Sequence, residues 1–377
     1  MTGARDTLRR YFLAGVSAVR GQDAVATQQQ AIADLAPSAI LSVGKAAVSM
    51  MQGVDPAHLD RARALAITKT GHVGHDHGLP ATVEIIESSH PVPDRPSLEA
   101  GRRARDLVVG LGPRDSLLLL VSGGASALVE MLQEGVTLDD LAARTRTALA
   151  SGADIHAINA ERRQVSRLKG GGLLSEFSGS RVLVLAISDV SGDSIAVIGS
   201  GLGAKGDYAG AYECRIVASN AIAREAVADC ARADGHRVIS NEESLYGDVG
   251  EVARRIAQQV GDGPPGLYIF GGEPTVILPD NPGQGGRNQA LALMLARAFS
   301  GQVGLCCLVG GTDGNDGPTT AAGGIVDGTT YRAAAGAGAA LAAADSGTYL
   351  REVSAVLETG PTGTNVMDLA IVLKSGG

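Results

Sequence analysis

Glycine-rich loops that follow short apolar runs are the features of this sequence best suited to chemistry. In the clearest one, Ser122-Gly123-Gly124-Ala125-Ser126-Ala127 comes directly after the apolar run 117–121 and precedes a predicted helix. Glycine lets backbone N–H groups converge, and the start of a helix adds partial positive charge, so such a loop can hold a phosphate or a carboxylate. A tight strand-to-helix turn without a ligand is the alternative interpretation. The recurrence of such loops along the chain favours anion binding.

Two further loops combine glycine with paired aspartates, and each follows a predicted strand. The pairs are Asp189 with Asp193 and Asp313 with Asp316. Carboxylates at the ends of strands can hold Mg²⁺ through a few oxygens and waters, leaving other positions to substrate phosphates. For either pair alone, an Asx turn, in which the side chain bonds its own backbone, explains the pattern equally well.

Two basic residues stand next to glycine at or near the ends of predicted strands. Lys45 follows Gly44, and Arg287 follows Gly285-Gly286. The point charge of a lysine and the fork of an arginine are the usual groups that neutralise the oxygens of a transferring phosphoryl group. Either residue, taken alone, also fits a solvated surface charge.

The common nucleotide-binding motifs are missing or badly placed. Gly44-Lys45 lacks the upstream glycine and the following Ser or Thr of a P-loop. Residues 201–206 satisfy the pattern G-x-G-x-x-G, but the segment does not directly follow a predicted strand and opens no convincing helix. It is therefore weak evidence for a dinucleotide site.

Histidines and cysteines give little support for a metal site or a disulfide. His72, His75 and His77 match no common spacing of metal ligands, and a loop without metal is the favoured interpretation. The four cysteines include no C-x-x-C pair. We expect them to be small apolar core residues in a reducing compartment.

Composition and charge disfavour several classes of protein. The 377 residues include 32 basic and 40 acidic ones, giving a net charge of -8 without a long basic run. A nucleic acid or an anionic membrane is therefore disfavoured as a partner. The N-terminus has the pattern of an amphipathic helix rather than a signal peptide, and no run reaches the roughly 18 apolar residues of a membrane span. We expect a cytoplasmic enzyme with small-molecule partners, and allow for a homodimer.

Short apolar runs alternate with helical patterns, which predicts an α/β fold with parallel sheets. The predicted strands are residues 39–43, 64–68, 82–86, 117–121, 181–187, 213–218, 267–270, 275–278 and 303–309. Helices are predicted at the N-terminus, from about residue 288, and in the alanine-rich segment 333–344. Ligands in such folds bind beyond the carboxyl ends of the strands. The turn-rich residues 261–266 predict a boundary between domains 1–262 and 263–377.

Short motifs spread over most of the chain carry a family resemblance. In the first part they are Val43-Gly44-Lys45-Ala46, Ser89-His90-Pro91-Val92-Pro93-Asp94, Ser122-Gly123-Gly124-Ala125-Ser126-Ala127-Leu128, Ser151-Gly152-Ala153-Asp154-Ile155, Leu168-Lys169-Gly170-Gly171, Ser188-Asp189-Val190, Gly192-Asp193 and Ser219-Asn220. In the second part they are Gly271-Gly272-Glu273, Gly286-Arg287-Asn288-Gln289, Gly311-Thr312-Asp313-Gly314, Asp316-Gly317-Pro318 and Gly360-Pro361-Thr362-Gly363-Thr364-Asn365. In this order they resemble the bacterial glycerate 2-kinases of the MOFRL type, some of which were earlier named hydroxypyruvate reductases.

The resemblance implies an N-terminal Rossmann-like three-layer α/β/α domain and a C-terminal MOFRL α/β domain with a cleft between them. It implies phosphorylation of D-glycerate at its 2-hydroxyl group, with ATP and Mg²⁺. The expected catalytic residues are Lys45, Arg287 and Asp189. Substrate or phosphate is expected at Ser122, Gly123, Gly124, Ala125, Ser126, Ser219, Asn220, Glu273, Asn288, Gly311 and Thr312. Mg²⁺ is expected at Asp189, Asp193, Asp313 or Asp316, and one of these carboxylates would accept the hydroxyl proton.

Three departures from the family pattern leave the substrate open. The Pro-Thr and long helical insertion that usually follow Ser200-Gly201 are missing, Pro274 replaces a usual Thr, and Ala290 replaces a usual acidic residue. The alternatives are a kinase for another small sugar acid, an NAD(P)H-dependent hydroxypyruvate reductase, or a metabolite-binding protein without catalysis.

Overall fold

The computed structural model describes residues 2–74, 77–151, 164–332, 334 and 336–376. The expectations for His75 and for the motif residues 152–155 lie outside the described residues. None of the described helices is long and apolar enough to cross a membrane.

The chain divides into two compact units. The N-terminal unit comprises Val19–Ser219 together with Gly363–Asn365, and the C-terminal unit comprises the residues up to Ala18, Asn220–Thr362 and the residues from Val366 onward. The boundary predicted between residues 262 and 263 therefore falls inside the C-terminal unit. The physical reason is strand pairing. Strands from both sides of the predicted boundary join the same sheet, and no local sequence pattern indicates such long-range pairing.

The N-terminal unit is built on a parallel sheet of six strands. The strands are β1 (Ala39–Val43), β2 (Arg63–Lys69), β3 (Val83–Ser88), β4 (Ser116–Val121), β5 (Arg181–Ile187) and β6 (Ala211–Ala218). Their order in the sheet is β3-β2-β1-β4-β5-β6, with every neighbouring pair parallel. This is the strand order of Rossmann folds, in which strands are added first on one side of β1 and then, from β4 onward, on the other side, leaving a ligand crevice at the carboxyl ends of β1 and β4.

Apolar runs explain this sheet, because strands covered on both faces need apolar side chains throughout. All residues of β1 and β4 are buried. Helices of this unit are α2 (Gly21–Ala26), α3 (Gln29–Leu35), α4 (Ala47–Gln52), α5 (Pro56–Leu59), α6 (Arg95–Val109), α7 (Ala125–Leu128), α8 (Leu138–Ser151) and α9 (Gly172–Ser175), and the N-terminal helix α1 (Thr2–Ala18) belongs to the other unit.

The C-terminal unit contains a mixed sheet of six strands. The strands are β7 (Val238–Glu243), β8 (Gly266–Gly272), β9 (Leu305–Gly311), β10 (Gly323–Asp327), β11 (Val356–Leu357) and β12 (Asp368–Lys374). Their order is β11-β10-β9-β12-β8-β7, and only the pair β7 and β8 is parallel. Its helices beyond α1 are α10 (Asn220–Ala233), α11 (Val249–Asp262), α12 (Arg287–Ala298), α13 (Ala337–Ala342) and α14 (Ser346–Glu352).

Two predictions about the C-terminal unit are wrong. Its sheet is mixed rather than parallel, because β12 inserts between β8 and β9 and runs antiparallel to both. Residues 275–278 form no strand: Thr275 makes one isolated bridge to Asp248, and the side chain of Ile277 is 84% exposed. An apolar run therefore marked an exposed segment here rather than a buried strand.

Candidate active site

Two loops meet at the carboxyl ends of β1 and β4, where the strand order reverses. The backbone N–H of Lys45 donates to the carbonyl of Gly123 (2.9 Å), and the N–H of Ala46 donates to Ser122 Oγ (3.1 Å). A Cβ atom on Gly44 would overlap Ser122. The predicted basic residue and the predicted anion-binding loop are therefore joined into one backbone framework.

The backbone of Gly123 lies against two polar side chains. A Cβ atom at this position would overlap the carboxylate of Asp189 and the side-chain amide of Asn365. Asn365 Nδ2 donates to Asp189 Oδ2 across 3.5 Å. Asp189 stands just beyond the end of β5, the neighbour of β4, so the sheet itself brings its carboxylate to this loop.

The next residue, Gly124, has a left-handed backbone with φ of 82° and precedes the first turn of α7. A Cβ atom there would lie 3.1 Å from His90 Cδ2 and 3.2 Å from Lys45 Cγ. The side chains of Lys45 and His90 thus flank this glycine, while Asp189 and Asn365 flank the preceding one. Together these four side chains and the two glycines form what we call the N-terminal polar site.

Other predicted residues of the N-terminal unit have structural partners. Ser126 Oγ lies 2.6 Å from Ser200 Oγ in the buried interior. Ser219 is also buried. Asp193 has a left-handed backbone with φ of 52° in a short 3₁₀ turn. No contact brings Asp193 to Asp189 among the hydrogen bonds of the described residues.

The G-x-G-x-x-G segment at residues 201–206 packs against other backbone. The N–H of Gly171 donates to the carbonyl of Gly201 (2.8 Å), and a Cβ atom on Gly206 would lie against the Gly171 backbone. In a Rossmann dinucleotide site this motif would follow β1, where the chain instead has Gly44-Lys45-Ala46. The segment has a packing role that requires small residues.

In the C-terminal unit, Arg287 begins α12 and is bound by two carboxylates. Its Nε donates to Asp368 Oδ2 (2.6 Å) and its Nη1 to Glu273 Oε1 (2.6 Å). Burial disfavours the charged form of the guanidinium and acts to lower its pKa. The negative charges of Asp368 and Glu273 outweigh this effect, so the pKa of Arg287 is raised. The Asp368 side chain is 2% exposed and that of Glu273 is 47% exposed. Glu273 is therefore the partner that an incoming anion could replace.

The two predicted metal ligands of this unit, Asp316 and Asp313, accept hydrogen bonds from backbone N–H groups. Asp316 accepts the backbone N–H groups of Asn288 (3.0 Å) and Gln289 (2.8 Å), so its carboxylate occupies the N-terminus of α12. Burial raises the pKa of Asp316 to about 7, although these two donors act in the opposite direction. Asp313 Oδ1 accepts from the N–H of Asn315 (3.0 Å), which is the Asx turn left open as an alternative.

Two more predicted ligands, Thr312 and Asn220, hold neighbouring chain segments in place. Thr312 Oγ1 donates to the carbonyl of Met367 (2.7 Å) and accepts the N–H of Val366 (2.9 Å). Asn220 Nδ2 donates to the carbonyls of Val366 (2.9 Å) and Asp368 (3.1 Å). Both side chains thus fix the approach to β12, which carries the partner of Arg287.

Asn288 differs from these residues. It is 1% exposed, and its Oδ1 has no hydrogen-bond partner within the part of the chain that the structure describes. A Cβ atom on Gly311 would lie 3.3 Å from Asn288 Nδ2, so the predicted residues Gly311 and Asn288 are neighbours. A buried acceptor without a partner is costly, which makes Asn288 a candidate ligand-binding group.

Three residues of these sites were not singled out from the sequence. His90 and Asn365 stand inside motifs that carry the family resemblance, and that resemblance was the signal available for them. Asp368 begins a strand that was not predicted, so its position gave no signal. Among the described residues, no three His, Cys, Asp or Glu side chains are grouped so that they could hold a metal ion.

Two family models match the chain. The model described as "Domain of unknown function (DUF4147)" matches residues 7–232, and the MOFRL family model matches residues 266–368. The second model begins close to the predicted boundary between residues 262 and 263, whereas the first ends earlier, at residue 232, and the compact units divide elsewhere.

Proteins named as glycerate kinases match nearly the whole chain. The D-glycerate 2-kinase of Thermotoga maritima is 35% identical over 89% of this chain and 90% of its own, and the glycerate 2-kinase of Pyrococcus horikoshii is 33% identical over 89% and 86%. A relative from Agrobacterium vitis carries a provisional hydroxypyruvate reductase name at 34% identity, over 89% of this chain and 98% of its own. The crystal structure of Thermotoga maritima glycerate kinase superposes with a TM-score of 0.86 at 33% identity, covering 99% of this chain and 100% of that one. This chain belongs to the glycerate 2-kinase family that combines a DUF4147 region with a MOFRL region.

Proposed function

We propose that this protein transfers the γ-phosphoryl group of ATP to the 2-hydroxyl group of D-glycerate, giving 2-phosphoglycerate and ADP. The observation that carries the proposal is the N-terminal polar site, which places a lysine and a carboxylate at the crevice of a Rossmann-ordered sheet. The glycerate kinase names of relatives that match most of the chain support the same activity.

Phosphoryl transfer requires the protein mainly to position the alcohol and to neutralise charge. Because Gly123 and Gly124 have no side chains, Asp189 and Lys45 can pack closely against their backbone. Lys45 supplies positive charge to the phosphoryl oxygens. The loop from Ser122 to Ser126 would hold the glycerate carboxylate or a phosphate on its backbone, as the sequence predicts.

Asp189 is the residue we assign as the acceptor of the hydroxyl proton. Its carboxylate lies against Gly123, next to the space where the substrate would bind. The amide of Asn365 orients this carboxylate through Oδ2. A general base must reach the proton that it removes, and Asp189 is the carboxylate of the N-terminal polar site.

Mg²⁺ would supply further neutralisation of the phosphate oxygens. A kinase site commonly holds this ion through one or two carboxylates together with substrate phosphates. Asp189 fits such a limited role, and Asp193 is the next carboxylate along its loop. Asp316 fits poorly, because both of its oxygens already accept backbone N–H groups.

Arg287 is proposed to bind a phosphate group of the nucleotide. For this it would exchange the half-exposed Glu273 for a phosphate while its bond to the buried Asp368 keeps the guanidinium oriented. Arginine is suited to this exchange because its fork matches carboxylate and phosphate oxygens alike. The unpartnered Oδ1 of Asn288, the next residue, would accept a hydrogen bond from a ribose hydroxyl of the nucleotide rather than bind its phosphate oxygens, which are acceptors themselves.

The experiment that tests the proposal is ³¹P NMR of the purified protein with ATP, Mg²⁺ and D-glycerate. A new phosphomonoester signal that matches 2-phosphoglycerate, together with ADP, is the expected result. Parallel samples contain other small sugar acids. Phosphorylation of only one of those would replace the substrate, and no phosphorylation of any acid would reject the kinase assignment.

A further inference from the structure

The C-terminal unit contains a cavity beside the first turns of α12. Its volume is about 100 Å³, several times the roughly 10–15 Å³ that one water requires on the same kind of measure. It is lined by parts of α11, α12 and α13, by the segment at 276–279, by Ala344 and by Ser346, the first residue of α14. The space is therefore several times larger than one water needs and can accommodate a small planar ring.

Most of the cavity wall is apolar, although the charged residue Asp248 also lines it. Val249, Met294 and Leu341 contribute from three different helices, and Val276 and Leu278 contribute from the extended segment. Leu278 is 56% exposed, so one side of the cavity opens towards solvent. Apolar walls with an open side suit a flat ring better than a charged group, since a charge here would lose its hydration without a partner.

One polar side chain in the wall lacks a partner. Ser346 is 1% exposed and stands in the cavity wall, with its hydroxyl oxygen shielded from solvent and without a hydrogen-bond partner within the described residues. A rotation about its Cα–Cβ bond would be needed to turn this hydroxyl towards a ligand in the cavity. A hydroxyl can both donate and accept. A ring with nitrogen acceptors or an amino group at its edge would satisfy it, whereas a hydrocarbon would not.

The cavity also lies next to a strong positive group in the chain. Gly285 and Gly286 form part of its wall, and Arg287 follows them directly. Arg287 itself is not part of the wall, so the anionic extension of a ligand whose ring lies in the cavity would have to pass Gly285 and Gly286 to reach the guanidinium. A nucleoside triphosphate has this arrangement of an apolar ring with polar edges and an anionic tail.

We propose that this cavity binds the purine base of the nucleotide that donates the phosphoryl group. The identity of the ligand as a nucleotide rests on the proposed kinase function. The position of its base rests on the cavity, on Ser346 and on Arg287. The apolar walls pack against the two faces of the base, and the Ser346 hydroxyl bonds its edge.

Filling the cavity tests the proposal. Val276 is only partly buried and lies on the exposed segment, so Val276→Trp introduces bulk with little disturbance of the core. We expect KM for ATP to rise at least tenfold, while kcat at saturating ATP and KM for D-glycerate change less than twofold. Val303→Trp is the matched control, because Val303 is 95% exposed in the same unit and lies outside the cavity wall. An unchanged KM for ATP in folded Val276→Trp would overturn the proposal.

Binding measured without turnover separates this inference from the kinase assignment. In saturation-transfer NMR of wild-type protein with ATP alone, the base protons H2 and H8 should receive more magnetisation than the ribose protons, and Val276→Trp should abolish this difference. Ser346→Ala should weaken ATP binding about threefold or more and reduce the preference for ATP over GTP. Transfer that favours the ribose, or is the same in wild type and Val276→Trp, would reject the cavity as the base site even if glycerate is phosphorylated. Selective transfer to the base without phosphorylation of any acid would instead support the cavity and reject the kinase assignment.

Discussion

The side-chain amide of Asn365 lies 3.5 Å from the carboxylate of Asp189, although 176 positions separate the two residues in the chain. Residues Gly363–Asn365 pack with the N-terminal unit, whereas the chain before and after them belongs to the C-terminal unit. The N–H of Gly21 donates to the carbonyl of Gly363 (3.0 Å), which anchors this short segment. The proposed base is thus oriented by a residue from near the end of the chain.

Replacing Asn365 should change the behaviour of Asp189. Asn365→Ala removes the hydrogen bond, and we expect kcat to fall about tenfold with KM for ATP within twofold. Asn365→Asp places a second carboxylate beside Asp189, and a like charge raises a carboxyl pKa. The acid limb of the pH–rate profile should therefore move to higher pH. Asn281→Ala, at an exposed asparagine, is the control. An unshifted acid limb in Asn365→Asp would contradict the assignment of Asp189 as the base.

Lys45→Ala should remove most of the activity and leave the fold intact. Stabilisation of transition-state charge by such a group amounts to roughly 3 kcal/mol or more, which corresponds to a loss in kcat of two orders of magnitude or more. Lys205→Ala provides a matched control, because Lys205 is exposed in the same unit. Rates from an ADP-coupled assay and melting temperatures decide the outcome. If Lys45→Ala keeps activity within tenfold of wild type, Lys45 has no part in the chemistry.

The two carboxylate partners of Arg287 should differ in their effect on stability. Asp368→Asn leaves the guanidinium, whose side chain is 33% exposed, without its main counter-charge; the cost should reach at most roughly 3 kcal/mol, the lower end for breaking a fully buried pair. Glu273→Gln affects a half-exposed pair and should cost less than about 1 kcal/mol. Urea unfolding of the two variants measures the difference. Equal destabilisation by both substitutions would argue against this division of roles. In addition, Glu273→Gln should not weaken ATP binding, because Glu273 competes with the phosphate for Arg287.

Asp316 should make stability depend on pH. Its folded pKa is about 7, well above the roughly 3.9 of an unfolded aspartate, so the folded state binds the extra proton between these values. The stabilisation of the folded state that comes from protonating Asp316 is fully present below pH 4 and is lost as pH rises towards 7. Its upper limit is roughly 4 kcal/mol. Asp316→Asn cannot titrate. The unfolding free energies of wild type and Asp316→Asn are measured from pH 4 to pH 8. As pH rises, wild type should lose stability relative to Asp316→Asn. A constant difference between the two would mean that Asp316 keeps an ordinary pKa.

Local pattern was sufficient for the N-terminal sheet and its loops. The predicted strand at 39–43 coincides with β1, and the one at 117–121 differs from β4 by a single residue. Strands buried on both faces are apolar throughout, and glycine occurs where one backbone segment approaches another. Both features can therefore be recognised from short stretches of sequence. The family resemblance likewise needed only short motifs in order.

Contacts between distant residues decided the rest. Whether Asp316 binds a metal or the start of α12 depends on a loop that folds back across 28 positions to Asn288. The strand predicted at 275–278 had the required apolar residues, but no neighbouring strand pairs with it among the described residues. The sequence by itself determined the strands of the N-terminal sheet and the glycine loops at their ends. Only the tertiary structure decided which side chains meet there, because strand order and pairing depend on long-range contacts that no local pattern contains.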